Sequence, residues 1–125
     1  MNIKKIELIW ITVGNFERSK HFFTNTLGLK VSCATPEYNW LELQGIEGGT
    51  LLGVGTAHKD STIKPGMNAV VSMTVDDIVA AKKELEDKGV TFVGDIIEIP
   101  GHVKMAQFTD PDGNNFQLVQ QLQTC

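Results

Sequence analysis

The chain has 125 residues, of which 42% are hydrophobic and 21% charged, and its formal net charge at pH 7 is -4. This length suits one ordinary domain with its own core, and the mixed charges form no basic patch that would indicate a nucleic-acid or membrane partner. Two cysteines exclude a disulfide framework, and no apolar run is long enough for a signal peptide or a membrane span, so we expect a cytoplasmic protein.

A strand, a helix and three further strands are predicted in the first half of the chain. Residues 6–13 alternate as a strand that is mostly apolar on both faces. One face carries Leu8, Trp10 and Thr12, and the other carries Ile9, Ile11 and Val13. Asn15 can cap a following helix, which Gly28 then ends. The next strands are predicted at Leu29–Ala34, Asn39–Leu43 and Thr50–Val54.

The same order of elements is predicted in the second half. The polar segment 56–67 contains the breaker pair Pro65-Gly66 and reads as a linker. A strand over 68–75 is followed by a helix that Asp76 or Asp77 caps and Gly89 ends. The later strands are predicted at Val90–Val93, with Ile96–Ile99 as its extension, at Val103–Phe108 and at Phe116–Gln120.

Two hairpins indicate an internal repeat. Asp110-Pro111-Asp112-Gly113-Asn114 has the residues of a tight turn between two strands. Residues 40–54 overlay 105–119 at a constant offset of 65, so that Leu52 falls on Gln117, and residues 11–16 overlay 73–78 at an offset of 62. We therefore predict a single domain, 1–125, in which repeat unit 1 spans about 5–55 and repeat unit 2 about 68–121.

Two motifs resemble the signatures of a known superfamily. Residues 12–29, TVGNFERSKHFFTNTLGL, look like the opening signature of the vicinal oxygen chelate superfamily, and residues 108–114, FTDPDGN, look like its closing signature. That superfamily contains glyoxalase I, extradiol dioxygenases, fosfomycin-resistance enzymes and bleomycin-resistance proteins. The resemblance implies an α+β fold in which two βαβββ repeats form an open U-shaped β-barrel around a cavity, often in a homodimer.

The resemblance also implies four positions that hold a divalent metal in the superfamily's enzymes. Aligned on this chain, they are Leu8, Leu52, Val70 and Gln117. Three of these side chains are hydrocarbons, which do not ligate such cations, and one neutral amide oxygen is too weak alone. We therefore expect no metal and no other cofactor.

The alternation of the strands then predicts which side chains line the cavity. Trp10 and Trp40 offer flat faces, and Glu42 adds a negative charge that favours a cation. Val54 is placed on the same wall as Leu52, and His102 lies in a turn that could overhang the cavity mouth. The predicted ligand-binding residues are Leu8, Trp10, Thr12, Trp40, Glu42, Leu52, Val70, Ser72, His102, Met105, Gln107 and Gln117.

The predicted function is metal-free binding of a small organic molecule in this cavity, apolar or aromatic, which the negative charge of Glu42 also allows to be cationic. One alternative is an enzyme of the same superfamily, such as a lyase, isomerase or dioxygenase, whose metal site the alignment misses or which uses Glu42 or His102 as a base. Another is an interaction module whose barrel is filled by its own side chains.

Overall fold

The computed structural model describes residues 1–57 and 59–122. The chain divides into two compact units, Met1–Asn68 (unit 1) and Ala69–Cys125 (unit 2). Unit 1 contains β1 (Leu8–Val13), α1 (Phe16–His21), β2 (Lys30–Thr35), β3 (Trp40–Gly45) and β4 (Gly48–Thr56). Unit 2 contains β5 (Val71–Thr74), α2 (Ile78–Asp87), β6 (Phe92–Ile99), β7 (Val103–Thr109) and β8 (Asn115–Gln121). The predicted βαβββ order is confirmed in both halves.

Each unit forms one four-stranded mixed sheet. The strand orders are β1-β4-β3-β2 and β5-β8-β7-β6. In each sheet the first and last strands of the unit are parallel neighbours, and the other pairs are antiparallel. The strand predicted at Val90–Val93 and its extension Ile96–Ile99 form one strand, β6, whose pairing with β7 is irregular between Val93 and Ile97.

The helices begin at the predicted caps. The Arg18 backbone N–H donates to Asn15 Oδ1 at 3.0 Å, and Asp77, not Asp76, caps α2. After α1 the chain continues as a wider π-helical turn, Phe22–Thr26, which contributes the fully buried Phe23 to the core. Within the described residues, no helix has the length and apolar character needed to span a membrane.

One face of each sheet is the core face. The helix of each unit packs against its own sheet on this side, α1 against β4 and α2 against β6, β7 and β8. The buried apolar side chains of unit 1 are Ile11, Val13, Phe23, Leu41, Leu43, Leu52 and Val54. Those of unit 2 include Ile78, Leu85, Ala106, Phe108, Phe116 and Leu118.

The turn between β7 and β8 is the predicted tight reversal. Asp110 is buried, and its carboxylate accepts hydrogen bonds from the backbone N–H groups of Asp112 and Asn114 and from the Asn114 side chain. Gly113 has a φ of 81°, which glycine adopts without strain. Burial raises the pKa of the Asp110 carboxyl, although these hydrogen bonds oppose the shift. The turn is therefore closed by its own side chains.

The two hairpins differ by one residue, and this corrects the predicted register of β4. Leu43 pairs with Leu52, nine positions later, whereas Phe108 pairs with Phe116, eight positions later. In unit 1 the pairing shifts where residues 43–45 of β3 lie opposite residues 48–52 of β4, so the longer segment is the one on β4. Such a bulge shifts the alternation of the strand that follows.

The prediction that Leu52 and Val54 share a face with the tryptophans is therefore wrong. Leu52 pairs with Leu43 and Val54 with Leu41, and all four side chains are buried on the core face. Gly53, not Leu52, is the counterpart of Gln117.

Candidate functional site

The face of the unit 1 sheet opposite the core carries both tryptophans. Trp10 of β1 is aligned with Gly53 of β4, which pairs with Glu42 of β3. In the next row, Gly55 pairs with Trp40. Paired residues of neighbouring strands point to the same side of a sheet. The structure thus brings Trp10, Trp40 and Glu42 to one face, with glycines between the two aromatic side chains.

These two glycines provide the surface on which Trp40 lies. A methyl group at Gly53 would be 2.5 Å from Trp40 Cη2, and one at Gly55 would be 2.8 Å from Trp40 Cε3. Both distances are shorter than a normal contact of about 3.5–4.0 Å between carbon atoms. The indole can therefore lie against the β4 backbone because these positions have no side chain.

A hydrogen bond fixes the rotation of the same ring. Trp40 Nε1–H donates to Glu42 Oε2 at 2.8 Å, and both side chains are half-buried. A hydrogen bond to an ionised acceptor is stronger than one between neutral groups. The Trp40 ring is therefore held on one side by glycine packing and at its edge by a carboxylate.

The tryptophans form two walls of a pocket. Their ring centroids are 6.5 Å apart and their planes meet at 60°. The pocket volume is about 400 Å³, within the range of small-molecule sites. Its lining consists of Trp10, Tyr38, Trp40, Gly55, Thr56, Ala57 and Ser61. Trp10 is 46% exposed, so that part of its surface is open to a ligand.

Tyr38 is a pocket residue that sequence reasoning missed. It ends the 3-10 turn Pro36–Tyr38, and Asn39 follows with a φ of 51°, which leads the chain into β3. No strand alternation covers this turn, and so no pattern assigned Tyr38 to a face. The signal that could have identified Tyr38 is its aromatic side chain two residues before Trp40, which was itself predicted to bind the ligand.

Three further residues of unit 1 that were predicted to bind the ligand lie outside the pocket. Leu8 is half-buried at the start of β1, where it is aligned with Leu51. Thr12, at 2% exposure, is buried. Leu52 belongs to the core face, as described above. These three side chains do not line the pocket.

Unit 2 carries its own row of predicted polar residues. Ser72, Gln117 and Gln107 are aligned across β5, β8 and β7, and Gln117 Nε2 donates to Ser72 Oγ at 2.7 Å. Met105 is on the same face, one row away, and Val70 is an exposed residue just before β5. This face can offer amide and hydroxyl groups to a polar partner.

His102 is an exposed residue of the turn before β7. Its backbone N–H donates to Ile99 O at 2.9 Å, and its carbonyl accepts from Leu122 N at 2.9 Å. Both contacts use the main chain. They hold the turn through the main chain.

The positions that correspond to the superfamily's metal ligands do not fit a divalent cation. Leu8, Leu52 and Val70 have hydrocarbon side chains, and Gly53, the structural counterpart of Gln117, also has no donor. The Gln117 amide is engaged with Ser72. Across residues 1–57 and 59–122, no group of three or more His, Cys, Asp or Glu side chains is placed to hold a metal ion.

Comparison with known proteins identifies the family. The profile of the Glyoxalase/Bleomycin resistance protein/Dioxygenase superfamily matches residues 5–118, and the chain belongs to this superfamily. No curated protein matches the chain.

Solved structures of the same fold cover nearly the whole chain. TnmS3, an antibiotic binding protein from Streptomyces sp. CB03234, is 27% identical with a TM-score of 0.81, over 97% of this chain and 98% of that one. A superfamily member from Sphaerobacter thermophilus DSM 20745 is 28% identical with a TM-score of 0.80, over 95% and 98%. A glyoxalase/bleomycin resistance protein from Streptomyces sp. CB03234 is 25% identical with a TM-score of 0.74, over 91% and 98%.

Proposed function

We propose that this protein binds a small apolar or aromatic molecule, without a metal ion, in the pocket of unit 1. The observation that carries the proposal is the pair of tryptophans, Trp10 and Trp40, lining one pocket of about 400 Å³. Aromatic walls with a few hydroxyl groups are the usual composition of a small-molecule site. The proposed function is sequestration or carriage of the ligand.

The fixed position of Trp40 supports binding because it reduces the entropic cost of ordering the site. The ring rests on Gly53 and Gly55, and its Nε1–H is bonded to Glu42. A side chain that is already held in its bound orientation loses little rotamer freedom when the ligand enters. Preorganisation of this kind is expected of a binding site.

The comparisons support a ligand-binding role over a metal-dependent reaction. TnmS3, which is 27% identical to this chain, is an antibiotic binding protein. At the superfamily's metal positions Leu8 and Val70 have hydrocarbon side chains, Gly53 has no side chain, and the Gln117 amide donates to Ser72. Binding requires a complementary pocket and no metal, so this residue set is consistent with the proposal.

The proposal is tested by a thermal-shift screen with planar aromatic compounds. A ligand at one hundred times its dissociation constant stabilises the folded state by about 2.7 kcal/mol. For a chain of this size that corresponds to a rise in Tm of roughly 10 °C. Isothermal titration calorimetry then gives the stoichiometry and affinity of each compound that raises the Tm.

Variants locate the bound compound. We expect Trp10→Ala and Trp40→Ala to abolish the thermal shift, each compared with its own Tm without ligand. Val93→Ala is the matched control because Val93 is an exposed strand residue of unit 2, and its variant should bind as the wild type does. A compound that binds both tryptophan variants with unchanged affinity would show that the ligand site is elsewhere. A screen without any stabilising compound would contradict the proposal.

The single-domain organisation, the homodimer and the cytoplasmic location belong to the same proposal. Light scattering coupled to size-exclusion chromatography measures the mass in solution, and we expect twice the monomer mass. Unfolding in one cooperative transition, seen equally by fluorescence and circular dichroism, is expected if both units fold as one domain.

A further inference from the structure

We infer that the ligand of the unit 1 pocket presents a methylated, positively charged nitrogen to the corner formed by Trp10 and Trp40. The inference rests on the proposed function, since it names the class of molecule that the same pocket accepts.

The two indoles meet as a corner and are not arranged as parallel plates. Their planes are 60° apart and their centroids 6.5 Å apart. A flat ring inserted between two others needs parallel walls separated by about 7–8 Å, because each carbon contact takes about 3.5–4.0 Å. A planar molecule therefore cannot stack on both tryptophans at once. A compact, rounded group can contact both faces.

The corner has the chemistry that attracts such a group when it is cationic. The face of an indole is the negative end of its quadrupole, and tryptophan is the strongest of the aromatic partners for a cation. Tyr38 adds a third aromatic ring to the lining. Pockets built from several aromatic side chains are the known way of binding quaternary ammonium groups.

Glu42 makes the corner more negative without entering the lining. Its carboxylate accepts the Trp40 Nε1–H at 2.8 Å. An anionic acceptor at the ring edge polarises the indole and leaves more electron density on its faces. Lys59 and Asp60, in the segment between the lining residues Ala57 and Ser61, carry opposite formal charges that cancel.

Three aromatic rings and the hydroxyl groups of Tyr38, Thr56 and Ser61 line the pocket, and this largely aromatic composition favours a methylated nitrogen over a primary ammonium. A primary ammonium has three N–H donors to satisfy. Among the lining hydroxyl groups, Ser61 Oγ is already engaged with Ile63, accepting from its N–H at 3.1 Å and lying 3.3 Å from its carbonyl oxygen. A nitrogen covered by methyl groups needs no acceptor and gains contact with the aromatic surface.

A matched pair of probes separates charge from shape. (3-Hydroxyphenyl)trimethylammonium and 3-tert-butylphenol have nearly the same shape, and only the first is a cation. Both are titrated by calorimetry and by tryptophan fluorescence, which reports this pocket because Trp10 and Trp40 are the two tryptophans of the chain. We expect the cation to bind roughly five- to thirty-fold more tightly, as expected from measured cation–π energies. Glu42→Gln should lower the affinity of the cation at least about threefold more than it lowers that of the neutral probe.

Glu47→Gln is the control variant, because it removes the same charge from an exposed residue between β3 and β4. It should leave both affinities unchanged. The inference is overturned, and the proposed function stands, if the wild type binds the two probes within about threefold of each other. It is also overturned if neither probe binds up to about 10 mM while a planar compound from the screen does. If no compound of either kind binds, the inference and the proposed function both fail.

Discussion

Replacing Gly53 with alanine tests how closely Trp40 is fitted to the sheet. The new Cβ would lie 2.5 Å from Trp40 Cη2, 2.8 Å from Trp40 Cζ2 and 2.9 Å from Trp10 Cβ. Normal carbon contacts are about 3.5–4.0 Å, so these atoms must separate by about 1 Å. Trp40 can rotate away, but Trp10 Cβ is attached directly to the β1 backbone and cannot.

The expected cost combines two effects. Overpacking of this kind destabilises by about 1–3 kcal/mol. Rotation of Trp40 also breaks its 2.8 Å hydrogen bond to Glu42, and the loss of a hydrogen bond to a charged group adds about 1.5 kcal/mol. We therefore expect Gly53→Ala to lower the free energy of unfolding by about 2.5–4.5 kcal/mol and to weaken binding of any aromatic ligand.

Urea denaturation followed by far-UV circular dichroism measures this cost. Gly45→Ala is the matched control, since a methyl group there would meet only Gly48 O, at 3.8 Å, and its effect should stay within about 0.5 kcal/mol. In a Trp40→Ala background the cost of Gly53→Ala should shrink to the part due to Trp10. Equal stability of Gly53→Ala and Gly45→Ala would refute the close packing of Trp40 on β4.

Two further predictions concern unit 2. Burial raises the pKa of the Asp110 carboxyl above its ordinary value of 3.8, outweighing the hydrogen bonds from Asn114 and Asp112. The contribution of Asp110 to stability is therefore greatest below pH 3.8 and falls as the pH rises through the folded-state pKa. Urea titrations should show that the stability of the wild type relative to Asp110→Asn decreases with rising pH. An increase would contradict the raised pKa. Asp77→Ala should lower the unfolding free energy by about 1 kcal/mol through loss of the α2 cap, whereas the neighbouring Asp76→Ala should change it little.

The repeated βαβββ order could be predicted because each signal for it is local. Alternation of apolar residues marks the strands, Asn15 and Asp77 cap the helices, and the turn at residues 110–114 contains residues that close on themselves. Each of these features depends on contacts within a few positions of the chain. The sequence therefore specified them without knowledge of the tertiary packing.

The register of β4 could not be predicted for a physical reason. Gly45, Gly48 and Gly49 allow the turn to be placed in more than one way, and the additional length of β4 between Gly48 and Leu52 has no distinctive sequence signal. A shift of one residue exchanges the two faces of a strand. Leu52 was consequently assigned to the pocket, and Gly53, whose missing side chain makes room for Trp40, was overlooked.

Three other pocket residues that sequence reasoning missed lie in segments outside the strands. Tyr38 follows a proline-initiated turn, and Ala57 and Ser61 come from a segment without strand alternation. Periodicity predicts faces of strands and helices, and it assigns nothing outside them. Trp10, Trp40 and Glu42 were found because they lie on strands.

Nuclear magnetic resonance of the indole groups tests ligand binding at the tryptophan pocket most directly. The chain has two tryptophans, so a ¹⁵N-labelled sample gives two indole N–H signals, one from each wall. During titration with an aromatic compound, both signals should move in a saturable way while the amide signals of α2 stay in place. Saturable binding that leaves both indole signals unmoved would contradict the account.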